Sequence, residues 1–249
     1  MNNRLDKPQC YCGYHNNGDT LLNSASGGLG TALAEDIILR GGVVYGVIHS
    51  AGFHGAEYAR ASKPAELYAI QGTKYVDVKP VCQGSSVYEM AVSDLKNGKT
   101  VLFTGLPCMV AALVKRAEKE MLTDNLITAD LVCHGPTSPL VAKEYAELMT
   151  KRHGSKVVDI QVRHKKNGEW TPPYLKVQYA DGKCSMKPFT ATEYAFAFRV
   201  LAQNRCYSCG FKGGNHFSDL TIGDYWGVDK SDEGFNAHGV SVAIVHTDR

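Results

Sequence analysis

Apolar segments of strand length alternate with amphipathic helical segments over the first part of the chain. VVYGVIHS and TVLFTG are rich in β-branched residues, whereas TALAEDIILR and LPCMVAALVKRAEKEM carry apolar residues at helical spacing. This alternation predicts an α/β core with a mixed, at least partly parallel sheet and flanking helices. From about Val157, the strand-like segments VVDIQVRH and LKVQYADGK are joined by turns and predict an antiparallel insert in the C-terminal half.

The size of the chain fits one domain. With 249 residues, of which 44% are hydrophobic and 21% are charged, the chain can bury one sizeable core. We expect an α/β (α+β) fold in a single domain over 1–249, with an α/β part over 1–150 and a mixed part over 151–249. The segment before Ser24 is a polar lead-in, and no helix or strand is predicted in it.

The charge pattern gives no reason to expect nucleic acid or a membrane as a partner. The formal net charge is +2, and the basic residues form no long run. The N-terminal sequence MNNRLDKPQC lacks the apolar run of a signal peptide, and every apolar segment is shorter than a membrane span. We therefore expect a cytoplasmic protein, in which eight cysteines serve metal or redox chemistry rather than disulfides.

Four of the cysteines form a candidate metal site. Cys206 and Cys209 make a CxxC pair, a spacing that lets two thiolates reach one metal, and dithiol exchange is the lesser alternative. Cys108 and Cys133 each follow a predicted strand, and ligands of α/β sheets lie beyond the carboxyl ends of strands. Taken singly, Cys108 and Cys133 are equally well explained as buried core thiols. Four thiolates suit zinc or an iron-sulfur cluster, and the ligands alone do not decide between them.

The remaining cysteines and the histidines fit no such set. Cys10 and Cys12 lie near the N-terminus, Cys82 in a predicted loop and Cys184 in a predicted strand, and all four are interpreted as structural. His134 follows Cys133 and is a candidate proton relay, although a hydrogen-bonded loop histidine is the simpler interpretation. No catalytic residue is assigned.

Two loops have features that suit a phosphate or a nucleotide. The segment SASGGLG (Ser24–Gly30) opens a predicted helix, where free N–H groups and the helix dipole attract an anion. The structural alternative is that Ser24 or Ser26 caps this helix and the glycines only form a turn. Gly72–Tyr75 combines a turn, a hydroxyl, a cation and an aromatic ring, although such tetrapeptides are most often surface turns. The aromatic residues of DLTIGDYWG are interpreted as core.

Six motifs in order carry a resemblance to a known family. SASGG, GTKYV, FTGLPC, DLVCHGPTSP, CYSCGFKG and SDLTIGDYWG resemble the β-subunit family of coenzyme F420 hydrogenases and dehydrogenases, which includes 7-hydroxymethyl chlorophyll a reductase. The similarity runs from about Cys10 to the C-terminus. The chain lacks the N-terminal ferredoxin-like segment of longer family members, so the resemblance implies a ferredoxin or ferredoxin-like protein as electron-transfer partner.

The resemblance implies an iron-sulfur flavoprotein oxidoreductase that contains FAD and a [4Fe-4S] cluster. The implied cluster ligands are Cys108, Cys133, Cys206 and Cys209, which favours iron-sulfur over zinc. The implied FAD-binding residues are Ser24, Ser26, Gly27, Gly28, Gly72, Thr73, Lys74 and Tyr75. Electrons would pass between the cluster and FAD, and FAD would exchange a hydride with a small-molecule substrate, an F420-like deazaflavin or another organic compound.

Two other functions fit the same residues. One is a non-catalytic interaction module in which the four cysteines bind zinc and only stabilise the fold. The other is an electron-transfer subunit that binds both cofactors but meets its substrate on a partner protein within a larger complex. Metal and flavin content separates the first from an oxidoreductase, and turnover by the isolated chain separates the second.

Overall fold

The computed structural model describes residues 4–249. The strands are β1 (Arg4–Gly13), β2 (Val43–His49), β3 (Ala56–Ala61), β4 (Val78–Cys82), β5 (Ser85–Ser86), β6 (Val101–Gly105), β7 (Leu126–Leu131), β8 (Val157–His164), β9 (Tyr174–Tyr179), β10 (Cys184–Pro188), β11 (Leu220–Asp224) and β12 (Ser241–Thr247). The α-helices are α1 (Gly18–Asn23), α2 (Leu29–Leu39), α3 (Leu67–Ile70), α4 (Val87–Lys96), α5 (Pro107–Lys119), α6 (Pro139–His153), α7 (Glu193–Val200) and α8 (Asn204–Tyr207). No helix within the described range is long and apolar enough to cross a membrane.

The larger sheet has nine strands in the order β1-β12-β11-β7-β6-β2-β3-β4-β5. Its centre is parallel, since β2 pairs with β6, β6 with β7, and β7 with β11 in the same direction. Antiparallel pairs flank this centre, with β3 beside β2 on one side and β12 and β1 beyond β11 on the other. The predicted mixed, partly parallel sheet with flanking helices is therefore confirmed.

Helices cover both faces of the larger sheet. Phe103 of β6 faces α4 and α5, where it lies in one core cluster with Leu95 and Val110. Its neighbour Leu102 faces the opposite side and clusters with Ile37 of α2. Successive strand residues point to opposite faces, so a strand buried on both faces needs a continuous apolar run such as Val-Leu-Phe. This packing places the carboxyl ends of β6 and β7 side by side at one edge of the sheet.

The smaller sheet contains β10, β9 and β8 in that order, with antiparallel pairing throughout. The predicted antiparallel insert in the C-terminal half is thus confirmed. Leu175 of β9 lies in one buried cluster with Tyr145 of α6 and Tyr194 of α7. Phe53 and Ala56, from the first half of the chain, belong to the same cluster. The insert therefore shares a hydrophobic core with the part that precedes it.

The segment before Ser24 contains two elements that the sequence did not predict. β1 pairs with β12 along the edge of the larger sheet, and the Asn17 side chain caps α1 by accepting the N–H of Thr20. The polar lead-in was assigned no element, because nearly every β1 side chain is exposed and no apolar alternation marks the strand. Cys82 was also misplaced, since it ends β4 and is fully buried rather than lying in a loop.

Candidate functional site

Three separate segments deliver four cysteines to one cavity. Cys108 lies in the first turn of α5, directly after β6, and Cys133 lies in the loop that follows β7. Cys206 is in α8, and Cys209 comes just after that helix. All four residues line the same cavity. The fold thus brings together the two strand-end cysteines and the CxxC pair, which are far apart in the sequence.

Gly135 allows the loop after β7 to pack against the CxxC segment. Its φ of 120° lies in the region that favours glycine. A Cβ atom at this position would lie 3.0 Å from Cβ of Cys206 and 3.5 Å from its Sγ. The close approach of Cys133 and Cys206 therefore depends on a residue without a side chain.

Burial and the neighbouring cysteines raise the pKa values of two thiols of the cavity, those of Cys133 and Cys108. Burial raises the pKa of Cys133 to about 11, and the charges of the other three cysteines add to this rise, while the N–H of Gly135 opposes it. Burial also raises the pKa of Cys108, and the nearby positive charge of Arg205 lowers it in part. Cys206 and Cys209 contribute to the rise of both pKa values, as expected for thiols that line one cavity. A bound cation would favour the thiolates and release their protons.

The four cysteines line one cavity, and two kinds of metal centre are considered for it. Among residues 4–249, no group of three or more His, Cys, Asp or Glu side chains converges on a position that could hold a single metal ion. A zinc site would require such convergence, because zinc binds each thiolate at about 2.3 Å. Cysteine ligands of an iron-sulfur cluster are attached to the atoms of a larger body, so they need not converge in this way.

The two serines of the first loop are turned away from α2. The Ser24 hydroxyl donates to the carbonyl of Thr20 at 2.7 Å, and the buried Ser26 hydroxyl donates to the carbonyl of Val240 at 2.7 Å. Gly28 is the N-cap residue of α2, and no side chain caps this helix. The alternative in which a serine caps α2 is therefore wrong, and the first N–H groups of α2 have no side-chain acceptor.

The glycines of the first loop meet two different requirements. A Cβ atom on Gly27 would lie 2.4 Å from the carbonyl oxygen of Gly13 and 2.5 Å from the backbone nitrogen of Ser241. Gly28 has φ of 82°, in the left-handed region. The loop thus packs directly against the backbone of β1 and β12, and its glycines are needed for that contact whether or not a phosphate binds there.

Gly72–Tyr75 forms a turn between α3 and the loop that runs to β4. Gly72 has φ of 76° in open space, and Thr73 pairs through its backbone with Val162 of β8. The Lys74 ammonium donates to the carbonyls of Ile70 and Gln71, at 2.8 and 2.6 Å, so it closes the end of α3. Burial lowers the pKa of Lys74 to about 7. Lys74 is thus engaged within its own loop, although the sequence suggested a cation for a phosphate.

Tyr75 and a buried ion pair connect the two predicted cofactor loops. The Tyr75 ring stacks on Phe198 with centroids 4.3 Å apart, and its hydroxyl accepts a hydrogen bond from Arg163 at 3.4 Å. Nη1 of Arg163 also donates to Oδ2 of Asp224 at 2.7 Å. Burial raises the pKa of Asp224, whereas the Arg163 charge and the Ser26 hydroxyl oppose that rise. The chain of contacts from Tyr75 to Ser26 therefore passes through Arg163 and Asp224.

Sequence reasoning missed Arg163 and misjudged Trp226. Arg163 belongs to a predicted strand and begins the basic run RHKK after the apolar Val162, a pattern that is typical of an exposed strand end. Trp226 was expected in the core, but 57% of its surface is exposed, and it stacks on Trp170 with centroids 4.7 Å apart. His134 is exposed and lies beside Phe198, with ring centroids 5.2 Å apart.

Residues 98–249 match the family described as the C-terminal part of the beta subunit of coenzyme F420 hydrogenase/dehydrogenase. The chain belongs to this family. The range that matches the beta-subunit family contains the four cysteines of the cavity as well as Arg163 and Asp224. Ser24–Gly28 and Gly72–Tyr75 precede it. The resemblance that the ordered motifs indicated is thereby confirmed.

The fold is also similar to a chain in a solved structure of the F420-reducing [NiFe] hydrogenase complex from Methanosarcina barkeri. The TM-score is 0.62 and the sequence identity 16%, over 100% of this chain and 77% of that chain. At this identity, the likeness shows the fold alone. No curated protein matches the chain.

Proposed function

We propose that this chain is an iron-sulfur flavoprotein oxidoreductase in which electrons pass between a [4Fe-4S] cluster and FAD. The observation that carries the proposal is the single cavity lined by Cys108, Cys133, Cys206 and Cys209. These four residues would hold the cluster. Membership of a hydrogenase/dehydrogenase beta-subunit family supports a redox role.

The donor set and the charges of the cavity fit an iron-sulfur cluster. Four thiols gathered in a partly buried cavity repel one another once ionised, so a cationic partner must offset their charge. Arg205 and Lys212 also line the cavity and place positive charge beside the cysteines. Zinc suits the same four thiolates, and the hydrogenase/dehydrogenase description of the family favours the cluster.

The two glycine-containing loops fit a dinucleotide such as FAD. Ser24–Gly28 precedes an uncapped helix N-terminus, which suits a phosphate, and no acidic residue lies in the first turn of α2. Gly72–Tyr75 contributes a tyrosine whose hydroxyl reaches Arg163, and this contact connects it to the first loop. When bound, FAD would exchange a hydride with an organic substrate and single electrons with the cluster. The chain's own residues would position both groups and limit access of water to them.

A protein partner is part of the proposal. The similar solved chain comes from a multi-subunit hydrogenase complex, and a ferredoxin or ferredoxin-like protein would exchange electrons with the cluster. Tyr207, which is 70% exposed in α8, lies next to Cys206 and offers a contact surface close to the cavity. A cytoplasmic location and an F420-like or other small organic substrate complete the proposal.

Cofactor analysis of protein purified without oxygen tests this function. After reconstitution with iron, sulfide and FAD, we expect iron and sulfide in the ratio of a [4Fe-4S] cluster together with bound flavin. The Cys206→Ser variant should lose the iron and its visible absorbance, because one ligand of the cluster is missing. Cys184→Ser is the matched control, since Cys184 is exposed in β10 and should retain the full iron content. Stoichiometric zinc without flavin, or equal iron in both variants, would overturn the proposal.

A further inference from the structure

A β-bulge controls where the Arg163 side chain points. The register between β8 and β9 shifts between Val162 and His164, so Arg163 is the extra residue in this interval. Its φ of 65° lies in the left-handed region, which an arginine rarely occupies. Bulges redirect a side chain, and backbone strain of this kind tends to persist where a function requires it. The bulge accompanies a guanidinium that is turned inward, with 5% of the side chain exposed.

Only one nitrogen of the Arg163 guanidinium, Nη1, makes hydrogen bonds within the described residues. Nη1 donates to Oδ2 of Asp224 at 2.7 Å and to the Tyr75 hydroxyl at 3.4 Å. The guanidinium carbon lies 4.7 Å from the centre of the Trp226 ring. Nε and Nη2 are buried and have no hydrogen-bond partner among residues 4–249. The side chain is therefore held firmly while two of its nitrogens are left without acceptors.

The two unpartnered nitrogens point to a ligand with two acceptor atoms. Nε and Nη2 carry the parallel N–H groups that form the side-on fork of an arginine, and this fork matches a phosphate or carboxylate. Leaving buried N–H groups unpaired costs free energy, so native proteins rarely keep them without a reason. Trp170, which stacks on Trp226, also has a buried Nε1 without an acceptor among residues 4–249.

The surroundings of Arg163 favour an anion. Lys165, two residues further along, is buried, and its ammonium donates to the carbonyls of Leu21 and Ser26. Arg163 and Lys165 thus contribute two positive charges, against the single carboxylate of Asp224 that contacts Arg163. Ser26 belongs to the loop that leads to the uncapped N-terminus of α2. Through Ser26, Lys165 contacts this loop three residues before the positive N-terminal end of α2 at Leu29.

We propose that Arg163 binds a phosphate group of the flavin dinucleotide through its Nε and Nη2. This assignment rests on the proposed FAD function and adds a phosphate-binding residue from the smaller sheet to the two loops. Asp224 and Tyr75 act as positioning residues, because they hold the guanidinium through Nη1 and leave Nε and Nη2 without a partner among residues 4–249.

The test compares three ligands with wild-type protein and variants of Arg163. FAD has the flavin ring and the phosphates, ADP has the phosphates without the ring, and riboflavin has the ring without phosphates. Arg163→Lys keeps the charge but removes the fork, and Arg163→Gln removes both. Arg60→Lys is the matched control, because Arg60 is another largely buried arginine paired with an aspartate. Affinities are measured by calorimetry for ADP and by flavin fluorescence for FAD and riboflavin, with iron content and circular dichroism as checks on folding.

We expect Arg163→Lys and Arg163→Gln to weaken FAD and ADP binding by roughly 10- to 100-fold, with riboflavin binding and iron content unchanged. Arg60→Lys should bind all three ligands as the wild type does. Unchanged affinity for FAD and ADP in folded Arg163 variants would overturn the assignment. An equal loss of riboflavin affinity would also overturn it, because Arg163 would then contact the flavin ring rather than a phosphate. Wild-type protein that binds ADP but no flavin would overturn the proposed function, while the ADP measurements would still test Arg163. Wild-type protein that binds neither FAD nor ADP would overturn both.

Discussion

The chain contains two buried arginine–aspartate pairs that differ in how the arginine is used. Nε and Nη2 of Arg60 donate to the two carboxylate oxygens of Asp94, at 2.7 and 3.1 Å. Asp94 also accepts the Tyr45 hydroxyl at 2.7 Å and pairs with Lys99 at 3.2 Å. In the pair of Arg163 and Asp224, only Nη1 meets the carboxylate, and Nε and Nη2 have no partner within the described residues.

The pKa values of the two aspartates show the same difference. Burial by itself would raise the pKa of Asp94, but its hydrogen bonds from Arg60, Tyr45 and Lys99 lower it to about 2. Burial raises the pKa of Asp224, and Arg163, Ser26 and Lys165 only partly oppose that rise. The first pair has the geometry of a structural ion pair, whereas the second has that of a side chain held ready for a ligand. Four predictions test this contrast.

The largest expected effect is the loss of stability when the pair of Arg60 and Asp94, the satisfied pair, is broken. Arg60→Gln leaves the carboxylate of Asp94 without its main partner, and we expect a loss of about 3 kcal/mol in the free energy of unfolding. Arg163→Gln also removes the partner of a carboxylate, Asp224, but it should cost less, about 1 kcal/mol without ligand, because it removes two unpaired buried donors at the same time. Urea denaturation at neutral pH measures both values. Equal losses in the two variants would remove the distinction between the pairs.

Stabilisation of the fold by FAD should depend on the pair of Arg163 and Asp224 and not on the pair of Arg60 and Asp94. At a concentration of FAD about 100 times its Kd, binding should add about 2.7 kcal/mol to the free energy of unfolding of the wild type. Arg60→Lys should gain the same amount, whereas Arg163→Lys should gain clearly less at the same concentration of FAD. Thermal unfolding with and without FAD gives the comparison. An identical shift of Tm in both variants would contradict the assigned difference.

Acid should weaken the satisfied pair. The folded pKa of Asp94, about 2, lies below the ordinary value of 3.8, so its stabilising effect is complete above pH 4 and is lost as the pH falls towards 2. The shift corresponds to about 2 kcal/mol. Asp94→Asn should lack this part of the acid dependence when urea midpoints are measured between pH 2 and 6. Asp224 should act in the opposite sense, because a raised folded pKa destabilises the protein as the pH rises above 3.8.

The smallest effect concerns Lys99, an additional partner of Asp94 on the solvent side. The Lys99 side chain is 41% exposed, so its ion pair with Asp94 is well screened by solvent. We expect Lys99→Met to lower the free energy of unfolding by about 0.5 kcal/mol, and the difference should shrink in high salt. A loss comparable to that of Arg60→Gln would show that the bidentate geometry of Arg60 is not what stabilises Asp94.

Much of the fold was predictable because its signals are local. The apolar run around Phe103 and the helical spacing of α5 identified a strand and a helix, and their alternation indicated a partly parallel sheet. Cys108 and Cys133 were then expected at the carboxyl ends of neighbouring strands. β1 was missed because an exposed edge strand has no buried face to leave a pattern in the sequence.

The two candidate cofactor sites were predictable to different degrees. Thiols are metal ligands and the CxxC spacing is a known ligand pattern, so a CxxC pair and two strand-end cysteines form a set that is recognisable from the sequence. Arginine is common on protein surfaces, and nothing in the local sequence around Arg163 indicates that a β-bulge turns its side chain inward. The Ser24–Gly28 loop lies between these cases, since its glycines were visible but the directions of its serine hydroxyls were not.

The sequence by itself determined the alternating strands and helices of the α/β core, the four thiols and the family to which their motifs point, because these depend on local spacing and residue type. Only the tertiary structure decided that the four thiols share one cavity and that the fork of Arg163 is buried without an acceptor. Proximity between distant segments and the satisfaction of a hydrogen-bond donor are properties of the packed surroundings. For that reason they become visible only when strands, helices and loops from the whole chain are in place.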